Sequence, residues 1–169
     1  KAVETVMTDG AAYFLEQATR PQTIGYALLD SPVALAAWML DHDTDSYYKI
    51  SRAFVDGVPV GNLTRENIVD NITLYWLTGT AASAARSYWE EARALAAALA
   101  SGQPPPPVSV PVGFTTFPGE IWAAPRSWVE TFYPGLAYFN EVDRGGHFAA
   151  WEEPELFSAE VRAAFSSLR

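Results

Sequence analysis

The chain has 169 residues, 49% of them hydrophobic and 18% charged, which is typical of a globular protein long enough to bury a core. The net charge of −9 argues against nucleic acid or an anionic membrane surface as a partner, because phosphate binding needs a basic face. The chain has no cysteine, which excludes disulfide bonds and thiolate chemistry and fits a cytoplasmic location, and no apolar run predicts a transmembrane segment or a signal peptide.

The first part of the chain, residues 1–103, predicts helices and loops and no strand. The apolar spacing and the N-cap residues carry this prediction. The predicted elements, in chain order, are a helix over 1–19 with a break near "TDG", a turn from Arg20, a helix from Pro32 capped by Asp30 or Ser31, an irregular loop over 43–63, a helix capped by Thr64 that stops at Gly79, and an alanine-rich helix over 81–99.

The composition changes at the four prolines of "SGQPPPPVSV", which predict a stiff extended connector. Residues 104–169 then predict alternating elements: a strand in "VSVPVGFTTF", a helix beginning at Pro125, a strand over 135–142, a loop, and a closing helix in "EPELFSAEVRAAFSSL". Alternating strands and helices favour a parallel sheet. Two strands cannot complete such a sheet, so we expect this part to be the last third of a larger fold.

Each predicted strand is followed by an ionisable side chain, Glu120 after the first and His147 after the second. Sites form at the carboxyl ends of strands in open α/β sheets, and a carboxylate can orient a histidine by accepting its Nδ1–H. The alternative is that His147 is an ordinary loop histidine and that Glu120 is favoured by a helix dipole. No nucleophile elbow of the G-x-S-x-G type, with serine or aspartate, occurs in the chain.

The string "FPGEIWAAPRSW", followed by "GGHFAAWEEPELF", resembles the C-terminal part of epoxide hydrolases of the α/β-hydrolase type. The similarity is greatest to the microsomal and juvenile-hormone branch and its bacterial relatives. The segments "RPQTIGYALLDSPVALAAW" and "NITLYWLTGTAASAARSYWE" resemble the helical cap of the same family. The resemblance implies a partial α/β-hydrolase fold, with a cap over 1–103 followed by the last strand–helix–strand–helix of the core over 104–169.

The resemblance also implies functional roles. His147 matches the general base that activates water, Glu120 the acid that orients it, and Tyr88 and Tyr13 the two cap tyrosines that bind the epoxide oxygen. It implies hydrolysis of an apolar epoxide to a vicinal diol through an aspartyl ester, with no cofactor and no metal. The family's aspartate is absent from this sequence, so we expect the isolated chain to be inactive without an N-terminal half.

Other interpretations remain open. The chain could be a catalytically inactive module that self-associates or binds a partner to complete its sheet. A dehalogenase or esterase is disfavoured, because neither needs the paired tyrosines. Trp38 or Trp76 could line an apolar substrate pocket. We expect His42, in "DHDTD", to lie on the surface, and Glu152 and Glu153 to cap the final helix.

Overall fold

The computed structural model of the chain describes residues 8, 10–41, 46–102, 108–120 and 124–166. The chain divides into two compact units, Lys1–Pro104 and Pro105–Arg169. The predicted helix before Gly10, the loop residue His42 and the proline connector at 103–107 lie outside the described residues.

The first unit forms helices in its described residues, apart from short connections and an isolated antiparallel bridge between Val60 and Leu63. Its elements are α1 (Ala12–Thr19), α2 (Pro21–Asp30), α3 (Pro32–Asp41), a π-helical segment (Ser46–Ser51), α4 (Arg52–Val55), α5 (Arg65–Thr78) and α6 (Ala81–Ser101). Two local predictions were therefore wrong. The segment after Arg20 is a helix and not a turn, since Pro21 occupies the first helical position, where its missing N–H costs nothing. The expected loop over 43–63 contains the π-helical segment and α4.

The predicted helix caps are confirmed. The Ser31 hydroxyl accepts a hydrogen bond from the backbone N–H of Ala34 at 3.3 Å. Thr64 forms a capping box with Asn67: the Thr64 hydroxyl accepts from the Asn67 N–H, and the Thr64 N–H donates to the Asn67 side chain. Helix α5 ends at Gly79, which adopts the left-handed conformation at φ 63°.

Leu28, Leu35 and Ala81 form a buried hydrophobic cluster in the helical unit. Small residues let the helices approach closely: a Cβ atom built on Gly25 of α2 would lie 3.3 Å from the Cβ of Ala82 in α6. Half-buried aromatic and aliphatic side chains of α3 and α5, including Trp38 and Trp76, pack against this cluster. The close approach fixes α1 and α2 against α6, which carries Tyr88.

The second unit alternates strands and helices as predicted. Its elements are β1 (Val112–Thr116), α7 (Arg126–Phe132), β2 (Leu136–Glu141), α8 (Ala149–Glu152) and α9 (Pro154–Ala164). Strands β1 and β2 pair in parallel, with Phe114 opposite Phe139 and Thr116 opposite Glu141. The expected parallel sheet is thus confirmed, and within the described residues it contains these two strands.

Helix α9 covers one face of the sheet through a polar contact and a tight apolar one. The Glu160 carboxylate accepts hydrogen bonds from Thr115 (2.9 Å), Tyr138 (3.0 Å) and Asn140 (3.1 Å), and so joins the helix to both strands. A Cβ atom on Gly113 would lie 2.6 Å from the Cβ of Ala164, so the helix lies directly on β1. These contacts hold the strand ends, and the loops that follow them, in register.

Candidate functional site

The loops that follow β1 and β2 continue the parallel pairing beyond the sheet. Gly119 forms a parallel bridge with Gly146, and its N–H donates to the carbonyl oxygen of Gly145 at 3.0 Å. Glu120 and His147 are the next residues in the two loops. The register therefore brings these two side chains side by side.

Glycine is required where the two loops touch. A Cβ atom on Gly119 would lie 3.0 Å from the Gly145 carbonyl oxygen and 3.2 Å from the Gly146 Cα. Gly145 has φ +91°, a conformation that side chains disfavour, and a Cβ there would lie 2.8 Å from a ring carbon of Phe117. The glycines thus permit a backbone separation that residues with side chains would prevent.

His147 and Glu120 form a hydrogen bond, with 2.9 Å between Nδ1 of the imidazole and Oε1 of the carboxylate. A carboxylate only accepts hydrogen bonds, so the contact places the proton on Nδ1 and leaves a lone pair on Nε2. The side chains remain 42% exposed for His147 and 28% exposed for Glu120. An imidazole in this tautomer, open to solvent, can accept a proton from water.

The residues after His147 anchor its loop, and they correct the expectation for the two glutamates. Glu152 is buried, and its carboxylate accepts a hydrogen bond from the Phe148 N–H at 3.2 Å, so it caps α8 and not the final helix. The Glu153 side chain makes no cap bond to α9; it pairs with Arg144 at 3.1 Å across the loop. Both glutamates therefore hold the segment that carries His147.

The two tyrosines singled out from the sequence meet within the helical unit. The rings of Tyr13 in α1 and Tyr88 in α6 lie edge to face, with centroids 5.9 Å apart and an interplanar angle of 81°. Both residues are half-buried. Tyr26, another phenol of this unit, is 68% exposed. The packing of α1 on α6 is what brings the two phenols together.

Tyr88 lies at the edge of a cavity of about 310 Å³ within the helical unit. Trp38 lines this cavity, whereas Trp76 packs on the neighbouring core cluster and is not among the lining residues. Three further polar lining residues, Gln17, Tyr75 and Ser87, were not predicted as lining residues from the sequence. No local motif marks them, because the cavity arises from the packing of several helices.

The described ranges contain neither a cluster of metal-binding side chains nor a membrane-spanning helix. Across residues 10–41, 46–102, 108–120 and 124–166 no group of three or more histidine or acidic side chains can hold a metal ion. No helix in those ranges is long and apolar enough to cross a membrane.

Comparison with known proteins gave matches along nearly the whole chain, although no family model matches. A Stigmatella aurantiaca protein named "Putative epoxide hydrolase" is 47% identical over 96% of this chain, which covers 34% of that protein. Pig epoxide hydrolase 1 is 38% identical over 96% of this chain, which covers 35% of the length of the pig protein. The crystal structure of the silkworm Bombyx mori juvenile hormone epoxide hydrolase superposes on 98% of the chain with a TM-score of 0.77 and 29% identity, and 38% of it is covered.

The fold of the chain is part of an α/β-hydrolase fold, as the sequence predicted. More particularly, the chain is homologous to the C-terminal third of epoxide hydrolases of the bacterial, microsomal and juvenile-hormone types, which confirms the resemblance stated above. It spans about a third of the length of the curated relatives it matches.

Proposed function

We propose that this chain supplies the water-activating and epoxide-binding groups of an epoxide hydrolase. The observation that carries the choice of an epoxide, over an ester or a halide, is the juxtaposition of Tyr13 and Tyr88 beside an apolar cavity. Opening an epoxide ring produces an alkoxide. Two phenols, whose ordinary pKa is about 10, can donate hydrogen bonds to that oxygen and deliver a proton to it.

His147 acts as the general base in this proposal. Its Nε2 atom accepts a proton from water as the water oxygen attacks the carbonyl carbon of an aspartyl ester. The acyl–oxygen bond then breaks, the imidazolium returns the proton to the departing diol oxygen, and the aspartate carboxyl group is re-formed. Glu120 accepts the Nδ1–H throughout, keeps the required tautomer and stabilises the imidazolium that forms. The 2.9 Å contact between the two side chains supports these roles.

The nucleophile of the proposed reaction comes from outside these 169 residues. Neither serine nor aspartate occurs between glycines in an elbow motif. An aspartate on a preceding core segment would attack one ring carbon, break the carbon–oxygen bond and form the ester that His147 later hydrolyses. We therefore expect no turnover by the 169-residue chain alone.

The proposal is tested by joining the chain to the first two thirds of the Stigmatella aurantiaca relative in place of that protein's own last third. The parent protein is assayed first, to establish that it converts styrene oxide to its diol. We expect the chimera to form the diol as well. Exchanging both Tyr13 and Tyr88 for Phe should reduce kcat/KM at least about a hundredfold, because each phenol is a donor to the developing oxyanion. Tyr26→Phe serves as the matched control, since Tyr26 is largely exposed.

Two outcomes would contradict the proposal. A chimera that unfolds in a single cooperative transition and yet forms no diol, beside an active parent, would show that these residues do not supply the groups. Full activity in the double Phe variant would remove the tyrosines from the reaction.

A second candidate role is self-association through the second unit. Among its described residues Trp128 is 66% exposed and Phe132 72% exposed, and both are large apolar side chains of α7. Together with a sheet of two described strands, this apolar surface favours burial against further polypeptide. Light scattering of the purified chain and of the chimera distinguishes self-association from burial within a complete hydrolase. A dimer that persists in the active chimera supports self-association. A monomeric chimera indicates that the core of the hydrolase covers this surface.

A further inference from the structure

The cavity in the helical unit contains a buried amide. Gln17 of α1 is 6% exposed and lines the cavity of about 310 Å³ together with Tyr88 and Trp38. None of the hydrogen bonds among the described residues involves its side chain. The Gln17 side chain is therefore buried in the wall of the cavity with its amide unpaired by the described residues.

A buried polar group without a protein partner opposes folding, because it loses its hydrogen bonds to bulk water. Such groups in native proteins are explained by function or by water. Half of the lining residues are leucine, methionine and alanine, whose side chains supply no partner for an amide. The polar groups of Trp38, Tyr75 and Tyr88 also line the cavity, but none of them forms a hydrogen bond with the glutamine amide. The hydroxyl of Ser87, another lining residue, donates to the Ala84 carbonyl at 2.7 Å and is already engaged.

The lining restricts the chemistry of a ligand. No side chain that lines the cavity carries a charge, although the chain as a whole has a net charge of −9. The volume is near the lower end of ligand pockets, roughly 300–1,000 Å³, and suits a molecule with one aromatic ring. An apolar body with one neutral hydrogen-bonding group would fill the cavity and satisfy the Gln17 amide.

We propose that Gln17 determines substrate specificity by hydrogen-bonding a neutral polar substituent, such as an amide or carbonyl group, on an otherwise apolar ligand. That this ligand is an epoxide rests on the proposed function. The hydrogen bond itself does not, and it can be measured in the chain without turnover.

The test measures binding of two probes of similar shape, phenylacetamide and ethylbenzene, to the purified 169-residue chain by ligand-detected NMR. The variant is Gln17→Met, which keeps the length of the side chain and removes its hydrogen-bonding atoms. Gln22→Met, at an exposed position of α2 that does not line the cavity, is the matched control.

We expect Gln17→Met to weaken phenylacetamide binding about two- to tenfold, the range for loss of one neutral hydrogen bond. Ethylbenzene should bind the variant as well as it binds the unaltered chain, or better. The melting temperature should stay the same or rise, because no described protein group loses a partner. Gln22→Met should change none of these quantities.

Equal affinity of phenylacetamide for both proteins would overturn the proposal. So would a clear fall in melting temperature in Gln17→Met alone, since that would give Gln17 a structural role. Failure of the chimera to hydrolyse an epoxide, with the probe selectivity intact, would reject the proposed function and leave the binding role of Gln17 standing.

Discussion

Gly145→Ala tests whether close contact of the two loops positions His147. Gly145 has φ +91°, and the left-handed conformation costs a residue with a side chain about 1–2 kcal/mol. The new methyl group would also lie 2.8 Å from a Phe117 ring carbon, and overpacking of this kind costs about 1–3 kcal/mol more. We expect a total loss of about 2–5 kcal/mol from the second unit, with the Gly119–Gly145 hydrogen bond weakened.

Gly57→Ala is the matched control for the conformational cost. Gly57 has φ +67°, and no atom lies within 4 Å of a Cβ built there, so this variant should lose only the first contribution. Amide hydrogen exchange gives the opening free energy of the strands in Gly145→Ala and of α4 and α5 in Gly57→Ala.

The imidazole tautomer of His147, read from its ¹⁵N chemical shifts, reports on the loop directly. We expect the Nδ1–H form to dominate in the unaltered chain and to lose population in Gly145→Ala, because the carboxylate of Glu120 is displaced. Equal destabilisation by both glycine variants, together with an unchanged tautomer, would show that the contact between the two loops does not position His147.

Two further predictions concern stability. Thr64→Ala should cost about 0.5–2 kcal/mol in urea unfolding, because it removes the capping box at the start of α5. Burial raises the pKa of Tyr138 above its ordinary value of 10.0, and so do its hydrogen bond to Glu160 and the negative charge of that carboxylate. The folded state therefore holds the phenol proton to higher pH than the unfolded chain does. This contribution to the free energy of unfolding is therefore complete below about pH 10 and is lost above it, by at most about 1.4 kcal/mol per pH unit. Tyr138→Phe should remove this part of the fall in unfolding free energy at alkaline pH.

Each of these has a control within the chain. Thr80 precedes α6 but its side chain makes no cap bond, so Thr80→Ala should have little effect, and equal losses at Thr64 and Thr80 would argue against the capping box. Tyr26→Phe is the control for Tyr138→Phe, since Tyr26 is largely exposed. An alkaline slope that is the same in Tyr138→Phe and the unaltered chain would contradict the role given to Glu160.

Strand β1 was predictable because it lies in a β-branched run bounded by proline, and β2 because its short apolar and aromatic run follows Gly135. The parallel pairing followed from their alternation with helices. Helix α2 was missed because its proline and Gly25 are local signals for a turn. The segment is nevertheless helical, because the missing side chain of Gly25 lets α2 pack closely on α6, where an added Cβ would lie only 3.3 Å from the Cβ of Ala82. Packing here outweighs local propensity.

The site was predictable to the extent that it depends on neighbours in the chain. The positions of Glu120 and His147 after the two strands indicated a contact, and Gly119 and Gly146 place them at matching points. The role of Glu152 was not predictable, because an acidic pair before a proline fits a cap on either helix. Gln17 carried no signal at all, since its environment is made by residues distant in sequence.

In the proposed function, His147 activates the water that hydrolyses an aspartyl ester. The most direct test is the intact mass of the His147→Ala chimera after incubation with styrene oxide. We predict that the protein gains the mass of one substrate molecule and releases almost no diol, because ring opening continues while hydrolysis of the ester stops, and that the unaltered chimera shows no lasting gain. Diol formation by the variant at the unaltered rate, with no gain in mass, would contradict the account.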